Sequence, residues 1–535
     1  MFNFSNMRML ELTMFWLIGC ALVVTPVSWA AKDSYQKHVH EQCSFTRYPG
    51  LCVDAVARLG SGNQHVDIMS ALINKTILET NLPTSFYSKF SSNLEIEEAQ
   101  HVNSITGYCQ ELLSMSLKRL DQSLLALQNS QNTNKQDVQT WISAALTYQQ
   151  ACKDSADGHS FSNSDLMGQI SRKMDYLSQL VSNSLALVNR MTGKLTDSTT
   201  RQLSEDHVFP SWVSAKDRKL LQAATIKANA VVAKDGSGNY KTISEAINAA
   251  SGGRFVIHVK AGVYNEKIRT NKDGITLIGD GKYSTIIVGD DSVNGGSSMP
   301  GSATFTVTGD GFIARDIGFQ NTAGPQGEQA LALYVASDHS VFYRCSMAGY
   351  QDTLYALALR QFYRECDIYG TIDFIFGNAA AVFQSCSLTL RRPHGAYNVI
   401  LANGRSDPGQ NTGFSIQNCR IEPSSDFSPV KHSFNSYLGR PWKRYSRAVV
   451  MESTIDDAVA SRGWIEWPGA GAYSKSLYFA EYANAGPGAG TSRRVTWPGF
   501  HVIGRDEAVK FTVDKFIAGT SWLPSTGVTF VSGLQ

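Results

Sequence analysis

Three cysteines, Cys345, Cys366 and Cys386, lie 21 and 20 residues apart, and each follows an aromatic residue by three positions: Phe342, Tyr363 and Phe383. A period of about twenty residues suits one turn of a parallel β-helix, in which equivalent positions of successive turns stack roughly 4.8 Å apart. The surrounding sequence has the matching texture. Short β-branched and aromatic runs recur between glycine or asparagine turns: Phe255–Val259, Ile275–Ile278, Ala303–Val307, Ile313–Phe319 and Val341–Tyr343, then Phe383, Phe414–Ile416 and Val449–Met451. A sandwich built from hairpins would show more two-residue Asn-Gly or Asp-Gly turns; Asp273-Gly274 stands alone.

The same period relates two acids. Asp352, in Gln351-Asp352-Thr353-Leu354, and Asp373, in Asp373-Phe374-Ile375-Phe376-Gly377, are 21 residues apart, so winding the chain brings their carboxyl groups together. Two carboxylates among Leu354, Tyr355, Phe374, Ile375 and Phe376 cannot both ionise cheaply. One is held protonated while the other keeps its charge, which supplies an acid and a nucleophile side by side. Most other acidic residues of such a coil serve turns and polar ladders.

The 535 residues change character near position 221: residues 1 to 221 hold 8 of the 44 glycines and residues 222 to 535 the other 36. The net charge of +2 gives no reason to expect nucleic acid as a partner, although weak attraction to a polyanionic matrix remains compatible with it. The glycine-poor part has helical periodicity from Cys109 to about Arg190. Its stripes are Leu113, Leu117, Leu120, Leu124 and Leu127; Val138, Trp141, Ile142, Ala145 and Tyr148; and Ile170, Met174, Leu177 and Val181. These predict a helical bundle. It carries no cluster of acid, base and nucleophile, which favours a binding or folding role.

Residues 1–31 combine Arg8, an apolar run from Leu12 to Val24, and Pro26 before Ser28-Trp29-Ala30, the pattern of a cleaved secretory signal, with an uncleaved signal anchor as the alternative. Export makes disulfides permissible. Apart from Cys20, the helical part holds Cys43, Cys52, Cys109 and Cys152 and the glycine-rich part holds Cys345, Cys366, Cys386 and Cys419, which predicts a separate disulfide set in each. None of the eight forms a CxxC pair, which argues against a metal site. Asn74-Lys75-Thr76 is a glycosylation sequon. Residues 191–221 read as a polar linker whose Arg218-Lys219 pair is open to proteolysis.

Two resemblances sharpen this outline. Cys43, Cys52, Cys109 and Cys152, the last following Trp141-Ile142-Ser143-Ala144-Ala145-Leu146, resemble the plant invertase and pectin methylesterase inhibitor domain, which implies pairing of Cys43 with Cys52 and of Cys109 with Cys152. In the glycine-rich part, five blocks stand in the order found in plant pectin methylesterases: Gly262-Val263-Tyr264-Asn265-Glu266, Gln329-Ala330-Leu331-Ala332-Leu333, Gln351 to Leu354, Asp373 to Gly377, and Leu438-Gly439-Arg440-Pro441-Trp442. The resemblance covers nearly all of residues 230 to 535. Together they imply a signal (1–31), a helical inhibitor-like pro-domain (32–190), a linker with a dibasic processing site (191–221) and a right-handed parallel β-helix esterase domain (222–535).

The resemblance also implies roles. Asp373 attacks a galacturonate methyl ester, and Asp352 protonates the departing methanol and then activates water. Gln329 and Gln351 donate to the oxyanion, and Arg440 holds Asp373 ionised. Trp442 walls the sugar site, with Tyr355, Phe376 and Trp464 as further substrate contacts. No cofactor is implied. The implied partners are pectin (homogalacturonan), a subtilisin-like protease at the linker and separate inhibitor proteins; the implied setting is a monomer secreted to the plant cell wall. Two departures stand out: Leu331 replaces a usual valine, and Met299 sits where a substrate-binding threonine is expected.

Ester hydrolysis needs a nucleophile, a proton donor and oxyanion donors, and no Gly-x-Ser-x-Gly elbow offers an alternative nucleophile. A polygalacturonase would carry Asn-Thr-Asp and Gly-His-Gly segments, and a pectate lyase an acidic calcium cluster near Asp352; none is found. A non-enzymatic inhibitor or wall-binding module is the remaining rival, and the intact set of Asp352, Asp373, Gln329, Gln351 and Arg440 argues against it.

Overall fold

A computed structural model describes residues 34–57, 67–80, 96–128, 134–157, 164–191, 227–469 and 475–535. The expected signal, Cys20 and the dibasic linker lie outside them. The chain forms two compact units, Met1–Thr196 and Asp197–Gln535.

In the first unit, helices α1 (Pro49–Ala57), α2 (Ile68–Thr80), α3 (Ile96–Gln128), α4 (Lys135–Asp157) and α5 (Ser164–Arg190) pack around a core that includes Leu72, Leu120, Ile142 and Leu185. Ile170, Met174, Leu177 and Val181 on α5 are buried as their spacing predicts, whereas on α3 only Leu113 and Leu120 of the predicted stripe are buried, Leu117, Leu124 and Leu127 are half-buried, and the buried face takes in Ser116 and Ser123. Among the described residues, a helical segment at 34–43 together with α1 and α2 precedes the predicted periodic region. Cys43 is bonded to Cys52 and Cys109 to Cys152, and both disulfides are buried. Asn183 clamps the entry turn: its Oδ1 accepts from the Tyr48 amide and its Nδ2 donates to the Tyr48 carbonyl, each at 2.9 Å.

The second unit is a coil whose central turns each contribute one strand to three parallel sheets, of 11, 8 and 7 strands, the end turns extending the largest. Pairing is in register from turn to turn, so Phe342, Tyr363 and Phe383 are consecutive partners. Their rings stack at 5.0 and 4.5 Å, nearly parallel, and form part of the hydrophobic core. The predicted run Ile313–Phe319 is divided into Ile313–Arg315 and Gly318–Asn321 by a one-residue corner at Asp316, φ 53°. Arg344, Glu365, Ser385, Asn418 and Glu452 make the same left-handed corner on later turns.

The four cysteines after these corners correct the expected second disulfide set: Cys345, Cys366, Cys386 and Cys419 are all free and buried. An in-register parallel ladder makes neighbouring Cβ vectors run side by side instead of toward each other. Each thiol turns to the backbone instead. Cys366 donates to the Phe342 carbonyl at 3.3 Å, Cys386 to Tyr363 at 3.5 Å and Cys419 to Phe383 at 3.3 Å.

A short helix, α6 (Ile243–Ala249), packs at the start of the coil. Thr242 and Glu245 form a capping box there. The Glu266 carboxylate of the first sequence block accepts from the Ile243 and Ser244 amides at 2.8 and 2.9 Å. That acid therefore satisfies helix-end donors and is structural.

Candidate active site

Strands Leu354–Ala356 and Ile375–Gly377 of the 7-stranded sheet pair with Leu354 opposite Ile375 and Tyr355 opposite Phe376. Asp352 and Asp373 each stand two residues ahead of these strands, on equivalent corners with φ of 61° and 52°. Aspartate tolerates this left-handed conformation better than most residues, so the corner can present a carboxyl group at little backbone cost. The Asp352 amide donates to the Ile372 carbonyl at 3.0 Å, which ties the two corners together. Both side chains are buried, Asp352 at 8% exposure and Asp373 at 4%.

Arg440 completes the pair from farther along the chain. Phe376 is opposite Ala402 and Ala402 is opposite Arg440, so the arginine lies two turns beyond Phe376, with only a methyl group in the intervening position. Its Nε donates to Asp373 Oδ1 at 2.8 Å and its Nη2 to Oδ2 at 2.5 Å. This is a bidentate, charge-assisted contact. Nη1 reaches the Tyr397 hydroxyl at 3.3 Å.

The arginine makes the two acids unequal. Burial pushes Asp352 well above the usual carboxylate range, the neighbouring Asp373 adds to the rise, and Arg440 opposes it only in part. Burial also raises Asp373, but there the Arg440 hydrogen bonds and charge pull directly against it. Asp373 is therefore the member that ionises first and Asp352 the one that retains its proton.

Gln329 and Gln351 are bridged in register on adjacent turns, next to the acids. Gln329 Oε1 is buried without a hydrogen-bond partner among the described residues. The outward aromatic column continues from Tyr355, stacked on Phe376 at 4.3 Å, to Trp442, whose ring meets Phe376 edge-on at 6.1 Å. Trp442 lies close against Gly404: a Cβ there would come within 2.8 Å of the indole, so only glycine fits.

Trp464 is placed elsewhere than the sequence reading put it. It is fully buried in the coil's core, stacked on Phe479 at 4.5 Å, with Nε1 donating to Glu481 at 3.1 Å. Glu481 is itself paired with buried Arg494. The residue on the site side of that segment is Trp467, whose ring lies under the Arg440 guanidinium at 4.2 Å and 6.4 Å from Trp442. Sequence reasoning missed Trp467 and Tyr397; the Trp-x-x-Trp spacing of 464 and 467 was the available signal for the first.

The site thus joins an acid that ionises more readily, an acid that holds its proton longer, an amide pair and an aromatic wall, which suits nucleophilic attack on an acyl carbon with proton delivery to the leaving group. The comparisons with known proteins agree with this chemistry. Residues 229–520 match the family profile described as pectinesterase, and residues 37–187 the profile described as plant invertase/pectin methylesterase inhibitor. The chain is 50% identical over 524 residues to "Probable pectinesterase/pectinesterase inhibitor 54" of Arabidopsis thaliana, covering 95% of this chain and 96% of that one. It is 49% identical over 430 residues to pectinesterase 2 of Citrus sinensis, covering 80% and 81%. Among solved structures, the pectin methylesterase from carrot is 52% identical, with a TM-score of 0.57 and coverage of 58% of this chain and all of that one.

Proposed function

Because the chain belongs to the pectinesterase family and is a carboxylic ester hydrolase that frees methanol from methyl-esterified pectin, we propose that its reaction runs through Asp373 as nucleophile and Asp352 as acid and base. The observation that carries this reading is the two-pronged grip of Arg440 on Asp373 beside a carboxyl group that burial keeps protonated. Asp373 attacks the ester carbonyl carbon. The tetrahedral intermediate collapses as Asp352 gives its proton to the departing methoxide, leaving an acyl-enzyme. Asp352, now a carboxylate, takes a proton from water, which attacks the acyl carbon and releases galacturonate and Asp373.

Gln329 and Gln351 donate to the oxyanion, and the orphaned Gln329 Oε1 supports an amide whose orientation is completed by substrate. Trp442 and Phe376 wall the sugar, with Tyr355 behind them and Trp467 joining in place of Trp464. Gln351→Ala is expected to lower kcat by about 10²–10³-fold, the effect of losing one oxyanion donor, with KM little changed; a fall confined to KM would make Gln351 a ground-state contact only.

The finer biology extends the same reading. The chain is exported to the cell wall, glycosylated at Asn74, which is exposed on α2, and acts as a monomer. The helical unit restrains the esterase until a subtilisin-like protease cuts the linker near Arg218-Lys219; separate inhibitor proteins are further partners. Methanol release from methylated pectin, measured for the full chain and for residues 222–535, tests both levels. No methanol from either would overturn the esterase reading, unsaturated products would mark a lyase, new reducing ends a polygalacturonase, and equal rates from the two would remove autoinhibition.

A further inference from the structure

The outer face of the 8-stranded sheet carries a cavity of about 320 Å³, separate from the acid pair. Its floor follows from register: Gly318 pairs with Ser346 and Gln320 with Ala348, so small side chains on adjacent turns leave a trough between larger ones. Tyr283, 58% exposed, stands over one side, and its hydroxyl spans to Asp367 at 2.5 Å and to the Tyr369 hydroxyl at 2.8 Å. Arg391 forms part of the lining, stacked over the Tyr350 ring at 3.7 Å.

The charges narrow what fits. Lys282 is neutralised by Asp367 at 2.5 Å. Among the described residues Arg391 has no carboxylate partner: it donates to the Gly349 carbonyl at 2.9 Å and the Tyr350 hydroxyl at 2.7 Å, which leaves further N–H donors of its five. Asp426, on the lining, is exposed and accepts from Ser424. A phenol platform, hydroxyl and amide groups able both to donate and to accept, and one fixed guanidinium form the complement of a sugar bearing a carboxylate. The volume lies at the small end of ligand pockets, enough for one or two sugar rings.

We propose that this cavity is an accessory site for a galacturonate unit with a free carboxylate. The uronate class is argued from the lining alone; that the polymer's own de-esterified stretch supplies it rests on the esterase reading. Hydrolysis turns a neutral ester into an anion, so Arg391 selects product over substrate. Arg391 also bonds to Gly349 and Tyr350, the residues leading into Gln351 and Asp352, so the accessory site and the acids share one ridge of the coil.

Hydrogen–deuterium exchange of the full chain with trigalacturonate as probe tests this. The expected result is slowed exchange in the segments around Tyr283, Ser346–Ala348 and Asp367–Gly370, absent with neutral galactotriose and reduced at least about tenfold in apparent affinity by Tyr283→Ala and by Ala348→Trp, which fills the trough. Tyr283 is a surface side chain, so Tyr283→Ala keeps the test open if the larger substitution fails to fold. Protection confined to the Asp352 and Asp373 corners, equal protection by galactotriose, or no effect of Tyr283→Ala would each overturn the proposal. Methanol release by the unmodified chain is read separately, so failure of the esterase reading is not confused with failure of this site.

Discussion

Asp373→Asn is expected to abolish methanol release, a loss of at least about 10⁴-fold, because a neutral amide cannot attack the ester carbon. It should also cost stability. The Arg440 side chain is 10% exposed and its carboxylate partner 6%. Removing one member of such a pair leaves a buried charge uncompensated, typically a penalty of about 3–5 kcal/mol. The protein can recover part of this as pH rises, since Asp352, freed from the repulsion of Asp373, becomes the nearest acid able to ionise toward Arg440. Urea unfolding across pH, run beside the methanol assay, measures both effects. Turnover near the parent rate would remove Asp373 from the nucleophile role, and unchanged stability would mean that the ion pair contributes nothing net.

Asp352→Asn should lose about 10²–10⁴-fold in kcat, the contribution of a positioned acid, yet its stability should move the opposite way. Asp352 has a folded pKa above its unfolded value of about 3.9. The native state therefore holds a proton that the unfolded chain releases, and the stability this confers is complete below about pH 4 and is lost as pH climbs through the raised folded value. Asparagine does not titrate and, like aspartate, accepts the left-handed corner. The variant should thus be more stable than the parent at neutral pH, with a gap that opens from about pH 4 upward at no more than about 1.4 kcal/mol per pH unit and then levels off. A gap that stays constant with pH would mean that Asp352 ionises normally in the folded chain. In the parent enzyme the same inequality predicts a bell: activity falls at low pH as Asp373 takes a proton and at high pH as Asp352 loses its own.

The coil and its acids were legible because their turns are of nearly constant length. Phe342, Tyr363 and Phe383 announce the stack, and the 21-residue separation of Asp352 and Asp373 is the same period. Beyond residue 390 that regularity fails: the register step lengthens to 26 residues from Phe376 to Ala402 and to 38 from Ala402 to Arg440, since loops enlarge the turns. No count of spacing would have led from Asp373 to Arg440; only the resemblance of the Leu438–Trp442 block did. The even number of cysteines was misleading for a different reason, because parity says nothing about the direction of neighbouring Cβ bonds. Trp464 and Trp467 differ by three positions on an irregular segment, and which one faces the core depends on the Glu481–Arg494 pair waiting for an indole N–H, a long-range fact.

Arg440 lies 67 residues after the acid it grips. Synthesis runs from the N-terminus, so both acids are made before the guanidinium, and a chain that has not reached residue 440 carries the pair without the charge that sets them apart. The later turns arm the enzyme, because a chain that ends before them has both acids and no guanidinium to make them unequal.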